Sequence, residues 1–382
     1  MSELFRQRLE KELQQRSEAH LLRRVVVHES CRLNLSGNDY LQLRSHPRVI
    51  EGARTAIEEF GTGSGASPLL SGFLPCHDRL LKQLLDWKKK PAGMLFNSGF
   101  MANQAILRHL PGEKDLVLAD RLIHHSMAQA LTQGRARFKR YDHLDLAHLE
   151  ELLRKHHGDY QTVFVVTESV FSMDGDYPDL VRLTGLKSRY PFVLILDEAH
   201  AVGLFGETGG GLAEESGVLG QVDILVGTLG KALASMGAYV LVNERAVVDY
   251  LVNFAGEFIY STFLSPALAG AADAAIDLAR ESGEKRRRLR FLGVRLRAGL
   301  ASLGWPRDPY ESAIVPVLTE DIPGLMDLKD RFLARGVLAA VARPPTVPQG
   351  TSRLRFSLHS GVTDNDLDDI LGILKEWKQG RK

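Results

Sequence analysis

The sequence predicts an α/β protein with a large, mostly parallel sheet and a smaller C-terminal α+β domain. Two features carry that prediction. From about residue 92, short apolar runs alternate with helix-like stretches, as in a sheet whose strands are joined by helical crossovers. Beyond Pro266 the pattern changes to a long helical stretch and then to shorter, mixed elements. At 382 residues the chain is too long for one small core. The expected division is an N-terminal helix and arm over 1–40, a large α/β domain over 41–280 and a small α+β domain over 281–382.

Leu4, Leu9, Leu13, Leu21 and Leu22 recur at a roughly helical spacing in a highly charged opening segment, which predicts an amphipathic helix that packs on another element. Arg32 to Leu41 is turn-rich and brings the first cluster of polar candidates, Asn38, Asp39 and Tyr40. The glycines of Gly61–Gly72 (GTGSGASPLLSG) predict an ordered loop whose backbone approaches a neighbour closely. Strands are expected at Gly93–Phe96, Leu116–Ala119, Val163–Val166, Val193–Leu196, Ile224–Val226 and Tyr239–Val242, with helices at Ala102–Leu110 and Ser126–Thr132. A helical stretch follows over Ala267–Leu303. Its Lys285-Arg286-Arg287-Arg288 run, flanked by acidic residues, reads as a solvated helix face. No repeat of 20–50 residues is present.

Composition narrows the function. Hydrophobic residues at 44% and charged residues at 25% match a folded soluble chain. Forty-eight basic against forty-seven acidic side chains leave no global field to attract nucleic acid or a membrane surface. Two cysteines, Cys31 and Cys76, cannot build a disulfide framework or a Cys-rich metal site, and no metal is expected. The first twenty residues lack the apolar core of a signal peptide, and no run of eighteen apolar residues occurs, so a cytoplasmic location is expected.

The strongest local signal is Phe192–His200, FVLILDEAH, a buried strand that delivers Asp197 at its carboxyl end with His200 three residues on. Ligand-binding residues of open α/β sheets gather at such strand ends. An Asp-Glu pair in this place can hold magnesium in a P-loop ATPase, or the aspartate can pair with the ring nitrogen of pyridoxal phosphate. The ATPase needs a phosphate loop. The nearest candidate, Gly230-Lys231, has Leu225 at the required glycine and Ala232 at the required Ser/Thr, and it follows the DEAH segment instead of preceding it. The pyridoxal reading fits better. Lys231 lies in Gly227-Thr228-Leu229-Gly230-Lys231-Ala232 at the end of a predicted strand, where a desolvated amine can act as nucleophile and Thr228 can donate to phosphate. Asn97–Asn103 leads into a helix whose first N–H groups form an anion site. Asp120–Ser126 carries His124 and His125, one of which can stack on an aromatic ring. A scaffold protein without catalysis is disfavoured by the intact Lys231, Asp197, His200 and His124.

Together these motifs resemble the α-oxoamine synthase family of fold-type I pyridoxal-phosphate enzymes, from Ser36-Gly37-Asn38-Asp39-Tyr40-Leu41 to the C-terminal helix. The segments that carry the resemblance are Asn97-Ser98-Gly99-Phe100, Thr167–Gly175 (TESVFSMDG), Asp197–His200 and Gly230-Lys231. The resemblance implies pyridoxal 5'-phosphate as cofactor, held covalently by Lys231, with Asp197 on its ring nitrogen. His200 and Ser172 would contact the ring's polar substituents or the adjoining site, and His124 would stack on the ring face. Gly99, Phe100 and Thr228 would bind the phosphate. Thr262 would reach the phosphate in the other subunit of a homodimer. Arg343-Pro344-Pro345-Thr346-Val347-Pro348-Gln349-Gly350 and Arg353-Leu354-Arg355 are similar to the branch that joins L-alanine to a pimeloyl thioester, on CoA or acyl carrier protein, in biotin biosynthesis. Relatives that use glycine, serine or another acyl-CoA are the alternative. By the same resemblance Arg355 would bind the amino-acid carboxylate, Thr346, Asn38 and His124 would line the substrate site, and Arg23 would face the acyl chain or its far carboxylate. Arg353 reads as an outward charge on its strand. Two positions depart from the family pattern: Pro68, where arginine or glycine is common, and Leu144, where asparagine is common.

Overall fold

The computed structural model describes residues 2–27 and 31–380, and it divides the chain into two compact units. The larger comprises 38–290 and 359–361, and the smaller comprises, of the described residues, 2–27, 31–37, 291–358 and 362–380.

The larger unit is built on seven strands: β1 (Ala92–Phe96), β2 (Leu116–Asp120), β3 (Arg137–Tyr141), β4 (Val163–Glu168), β5 (Val193–Asp197), β6 (Ile224–Thr228) and β7 (Ala238–Val242). Their order across the sheet is β1-β7-β6-β5-β4-β2-β3. The pairings β3–β2, β2–β4, β4–β5 and β5–β6 are parallel, whereas β7 is antiparallel to both neighbours. Only β7 runs against the others. The sheet is therefore mostly parallel, and β4, β6 and β7 are apolar runs shielded from solvent. Strand β3 is absent from the sequence expectations because RFKRY is charged and lies at the sheet edge, where all but Tyr141 retain some exposure.

The connection from β6 to β7 is a hairpin loop, unlike the helical crossovers elsewhere. Residues 229–237 fold back so that Leu229 N donates to Gly237 O at 2.9 Å and Ser235 N donates to Leu229 O at 2.9 Å. Lys231 sits within this loop. Gly237, at φ +108°, turns the chain into β7 as few residues other than glycine could.

Helices Pro47–Phe60 and Pro266–Glu281 pack closely through Gly52, whose missing Cβ would stand 2.5 Å from Gly270 O. The long helical stretch predicted over Ala267–Leu303 is interrupted at Ser282, and a second helix runs over Gly283–Ser302. The basic run within it is not simply a solvated face. Arg286 is buried and donates to Glu207 O at 2.5 Å, and Lys285 donates to Leu41 O at 3.0 Å, so two of the four cations satisfy backbone carbonyls. The glycine-rich loop does approach a neighbour: Phe263 N donates to Ala66 O at 3.0 Å, and Ser64 Oγ donates to Leu264 O at 2.5 Å.

The smaller unit holds a three-stranded antiparallel sheet, with β8 (Ile314–Leu318) and β9 (Ala340–Ala342) flanking β10 (Arg353–Ser357). Helices Ile322–Ala334 and Asp364–Gln379 belong to the same unit, the second opened by a Thr363/Asp366 capping box. Leu33–Asn34 pairs in parallel with Val337–Leu338. The N-terminal helix forms over Glu3–Glu18, but none of its residues is buried. Among the described residues no helix is long and apolar enough to cross a membrane.

Candidate active site

Parallel strands that share a direction deliver their carboxyl ends side by side. Here β4 and β5 end in register at Glu168 and Asp197. Just beyond β5 the chain turns sharply, so that adjacent carboxylates have separate partners. Asp197 Oδ2 accepts from Asn103 Nδ2 at 3.0 Å, and its Oδ1 accepts from Ala199 N at 2.9 Å. Glu198 instead meets Lys88, Nζ to Oε2 3.2 Å, with both side chains fully buried, while its Oε1 accepts from Ala213 N at 2.9 Å. Glu198 is thus occupied by Lys88 and a helix start, and no group of three or more His, Cys, Asp or Glu suited to a metal occurs among the described residues.

His200 connects two expected site residues. Lys231 Nζ lies 2.7 Å from His200 Nε2, and Tyr40 Oη lies 2.7 Å from His200 Nδ1. Tyr40 Oη also donates to Asn38 Oδ1 at 3.2 Å. One proton assignment satisfies the whole chain: the Lys231 ammonium donates to Nε2, Nδ1–H donates to the phenol, and the phenol donates to Asn38. His200 and Tyr40 are buried and Lys231 half-buried, so the amine stands at the inner edge of the site, held by an imidazole that solvent barely reaches.

His124 caps the helix His125–Gln133 and is held from two sides. Its backbone N donates to Glu168 Oε1 at 2.5 Å, and its Nδ1 lies 2.8 Å from Ser126 Oγ. The ring is exposed on this chain yet crowded by protein on the site side. That crowding pushes its pKa below the usual histidine range; Asp197 opposes the shift and Lys231 adds to it. Burial raises the Glu168 carboxyl well above the usual range and the charge of Asp197 adds to that, while Lys231 and the His124 N–H pull against it.

Gly99 and Phe100 open the helix Gly99–His109, with Ser98 Oγ accepting from Met101 N at 3.2 Å. Their own N–H groups precede the first intrahelical bond and are available to an anion. Asn97 Nδ2 donates to Thr262 O at 2.7 Å, which sets exposed Thr262 beside this helix start. Thr228 Oγ1 donates to Gly237 O at 3.2 Å and accepts from Gly230 N at 3.2 Å, so its hydroxyl braces the Lys231 loop. Ser172 lies half-buried in the loop after β4.

The remaining expected residues belong to the smaller unit. Arg23 Nη2 donates to Thr346 Oγ1 at 2.7 Å, and Arg343 Nη2 donates to Leu22 O at 2.7 Å, which fastens the N-terminal arm to the Arg343–Gly350 loop. Arg355 lies on the central strand β10 and is buried. Arg353 is buried too, at 3% exposure, with Nε donating to Thr351 O at 2.9 Å, so the outward charge expected on this strand is corrected.

Asn103 enters the sequence expectations only as the end of the Asn97–Asn103 segment and with no role of its own, although it holds Asp197 directly and donates to Ser126 Oγ at 3.1 Å. The available signal was a pair of polar residues, Asn103 and Gln104, inside a helix whose residues 102–107 are all buried. Of the two departures, Pro68 begins the short turn Pro68–Gly72, a position that suits its fixed φ. Leu144 adopts φ +57°, in the left-handed region that asparagine tolerates better, so its departure concerns backbone conformation.

A lysine amine, a carboxylate at a strand end, an imidazole with one open face and a helix start free for an anion together suit pyridoxal phosphate. Comparison with known proteins agrees. Residues 8–374 match the family described as Aminotransferase class I and II. The 8-amino-7-oxononanoate synthase of Geobacter sulfurreducens is 41% identical over 353 residues, which cover 92% of this chain and 90% of the relative. That of Aeromonas salmonicida is 40% identical over 346 residues, 90% of this chain and 85% of the relative. Among solved structures, serine palmitoyltransferase from S. paucimobilis, with pyridoxal phosphate and myriocin bound, superposes with a TM-score of 0.90 at 27% identity and covers 97% of both chains. The 8-amino-7-oxononanoate synthase of Francisella tularensis superposes with a TM-score of 0.81 at 27% identity, covering 93% of this chain and 99% of that one. Similarity that spans both units and reaches 40% identity carries the whole architecture and its cofactor with it: the chain belongs to the aminotransferase class I and II family, among the pyridoxal-phosphate-dependent α-oxoamine synthases.

Proposed function

We propose that this chain condenses L-alanine with a pimeloyl thioester, on CoA or acyl carrier protein, to give 8-amino-7-oxononanoate, carbon dioxide and the free thiol. The observation that carries the reading is the roughly 40% identity to 8-amino-7-oxononanoate synthases over nine-tenths of the chain, with a lysine, histidine and aspartate gathered at the strand ends. Bound pyridoxal phosphate supplies an electron sink for the α-carbon of the amino acid.

The chain's own residues supply the rest. Lys231 would hold the cofactor covalently, and its amine, when free, would take the α-proton of alanine and later return one. His200 orients that amine through Nε2. Asp197 would pair with the ring nitrogen and hold its proton, and Asn103 fixes the carboxylate by occupying one oxygen. His124 would stack on the ring, Ser172 would contact the ring substituents, and the N–H groups of Gly99 and Phe100 would take the phosphate with Thr228. Arg355 binds the alanine carboxylate as a guanidinium fork. Asn38 and Thr346 line the substrate site, and Arg23 takes the acyl chain or its far carboxylate. The α-carbon attacks the thioester carbonyl, the thiol leaves, and the β-keto acid so formed loses carbon dioxide.

We further propose a cytoplasmic homodimer in which Thr262 serves the partner's phosphate site. Exposed apolar side chains in the glycine-rich loop and just before Thr262 support the dimer. Leu70 is 81% and Tyr260 85% exposed, and Phe73, itself partly exposed, contacts Phe263 at 5.9 Å between ring centroids. Sedimentation of the purified protein as a dimer is expected; a monomer at micromolar concentration would refute that part.

The structural likeness to serine palmitoyltransferase favours one rival, a related synthase that takes serine or glycine. Thiol release measured against an amino-acid panel separates them: turnover with alanine far above serine and glycine is expected. Lys231→Ala should abolish turnover, and borohydride should no longer fix the cofactor to the 224–242 peptide. Preserved steady-state turnover in that variant would overturn the assignment.

A further inference from the structure

His143, which follows β3, lies half-buried between two carboxylates from different loops. Its Nδ1 is 2.8 Å from Asp120 Oδ1, and its Nε2 is 3.0 Å from Asp176 Oδ2. Neutral imidazole carries one N–H and could donate to only one of them, so bonds at both nitrogens require imidazolium. Burial alone would lower its pKa, but the bonds and charges of Asp120 and Asp176 prevail and raise it to about 10. Phe171 meets the ring edge-on at 4.4 Å.

Each carboxylate anchors a different loop. Asp120 ends β2 and accepts from Leu122 N at 2.9 Å through the oxygen that meets His143, while its other oxygen accepts from Leu144 N at 2.9 Å. The loop that starts there reaches His124, whose own N–H is fixed by Glu168. Asp176 closes the loop that carries Ser172: its carbonyl accepts from Phe171 N at 2.9 Å, and Phe171 O accepts from Gly175 N at 2.9 Å. The second carboxylate oxygen, Asp176 Oδ1, is buried with no hydrogen-bond partner among the described residues, so the orientation of this side chain rests on His143.

We propose that His143 is a positioning residue, whose charged ring ties the loop presenting His124 to the loop presenting Ser172 and so fixes both against the cofactor. This rests on the reading of the site given above. Groups held within a fraction of an ångström by such ties lose about 100-fold in rate when displaced by about 1 Å.

The test compares the holoenzyme with His143→Gln and Asp176→Asn. In His143→Gln one side of the clamp is lost, because an amide cannot donate from both ends. Its kcat should fall 10- to 100-fold with KM for alanine within about two-fold, and the circular dichroism of bound pyridoxal phosphate, which reports the asymmetry imposed by His124, should weaken. A folded His143→Gln enzyme with the parent's kcat and cofactor dichroism overturns the proposal. Should that variant fail to fold, Asp176→Asn decides: it keeps the Asp120 bond and should shift the same quantities less, and parental values there overturn the proposal equally. A parent that binds no pyridoxal phosphate would sink the functional reading alone. The clamp is then judged by amide exchange, which should accelerate at 121–124 and 172–175 in the variant, and unchanged exchange would refute it.

Discussion

The buried pair Lys88–Glu198 permits a quantitative prediction about the strand end that presents Asp197. Both side chains are fully shielded, at an Nζ–Oε2 distance of 3.2 Å. Lys88→Met removes the only cation bonded to Glu198 among the described residues and leaves a buried carboxylate uncompensated, a change that costs about 3–5 kcal/mol. It also removes the donor to Gly210 O, and a buried carbonyl left without its partner costs about 1–3 kcal/mol. These costs overlap, so a loss of about 4–6 kcal/mol is expected. Glu198→Gln should cost less, about 1–3 kcal/mol. The amide oxygen can still accept from Ala213 N, and burial already pushes the Lys88 amine down from its usual range, so it can shed its proton. The double variant should therefore be more stable than the two losses added together, by about 2 kcal/mol or more. Urea unfolding of cofactor-free protein at neutral pH measures all three without a contribution from cofactor binding. Lys88→Met within about 1 kcal/mol of the parent, or strict additivity in the double variant, would refute the reasoning.

Three further outcomes are expected. Leu144→Asn should stabilise the protein by up to about 1 kcal/mol by relieving a left-handed leucine, read as a higher urea midpoint; an unchanged or lower midpoint would contradict this. The folded pKa of His143, about 10, exceeds its ordinary 6.5, so its contribution to stability is complete below about pH 6.5 and is lost as pH rises toward 10. Urea midpoints taken from pH 6 to pH 10 should fall more steeply in the parent than in His143→Gln, and parallel slopes would count against the charged ring. Gly52→Ala would place a methyl 2.5 Å from Gly270 O and 3.0 Å from Ala274 Cβ, forcing two helices apart at about 1–3 kcal/mol, and calorimetry showing a parental melting temperature would exclude that contact.

Much of this was legible in the sequence because apolar runs and their polar ends leave local marks. The strand carrying Asp197 and the loop carrying Lys231 could be placed in that way. The direction of β7 could not, since a buried strand reads alike in either sense. Edge strand β3 was hidden by its charges. The roles of Asn103 and of the Asp120–His143–Asp176 clamp were missed because their significance lies in partners 23 to 94 residues away, which no spacing rule brings together. Arg286 and Arg353 were misjudged for a related reason: an arginine that satisfies buried carbonyls has the same composition as one that faces water.

The hairpin that bears Lys231 has a consequence for which lengths of chain can vary. Crossover connections between parallel strands pass over helices and surface turns, where an added residue can be absorbed locally. The loop 229–237 has no such slack. Its ends are set by Thr228 opposite Ala238, and β7 is held in register by β1 on its other side. An inserted residue there would either rebuild the loop or slide β7 by one position and turn each of its side chains to the opposite face of the sheet. Deletions meet the same limit. In this protein the segment that carries the lysine has little room for insertion or loss, and its length should be as fixed as its sequence.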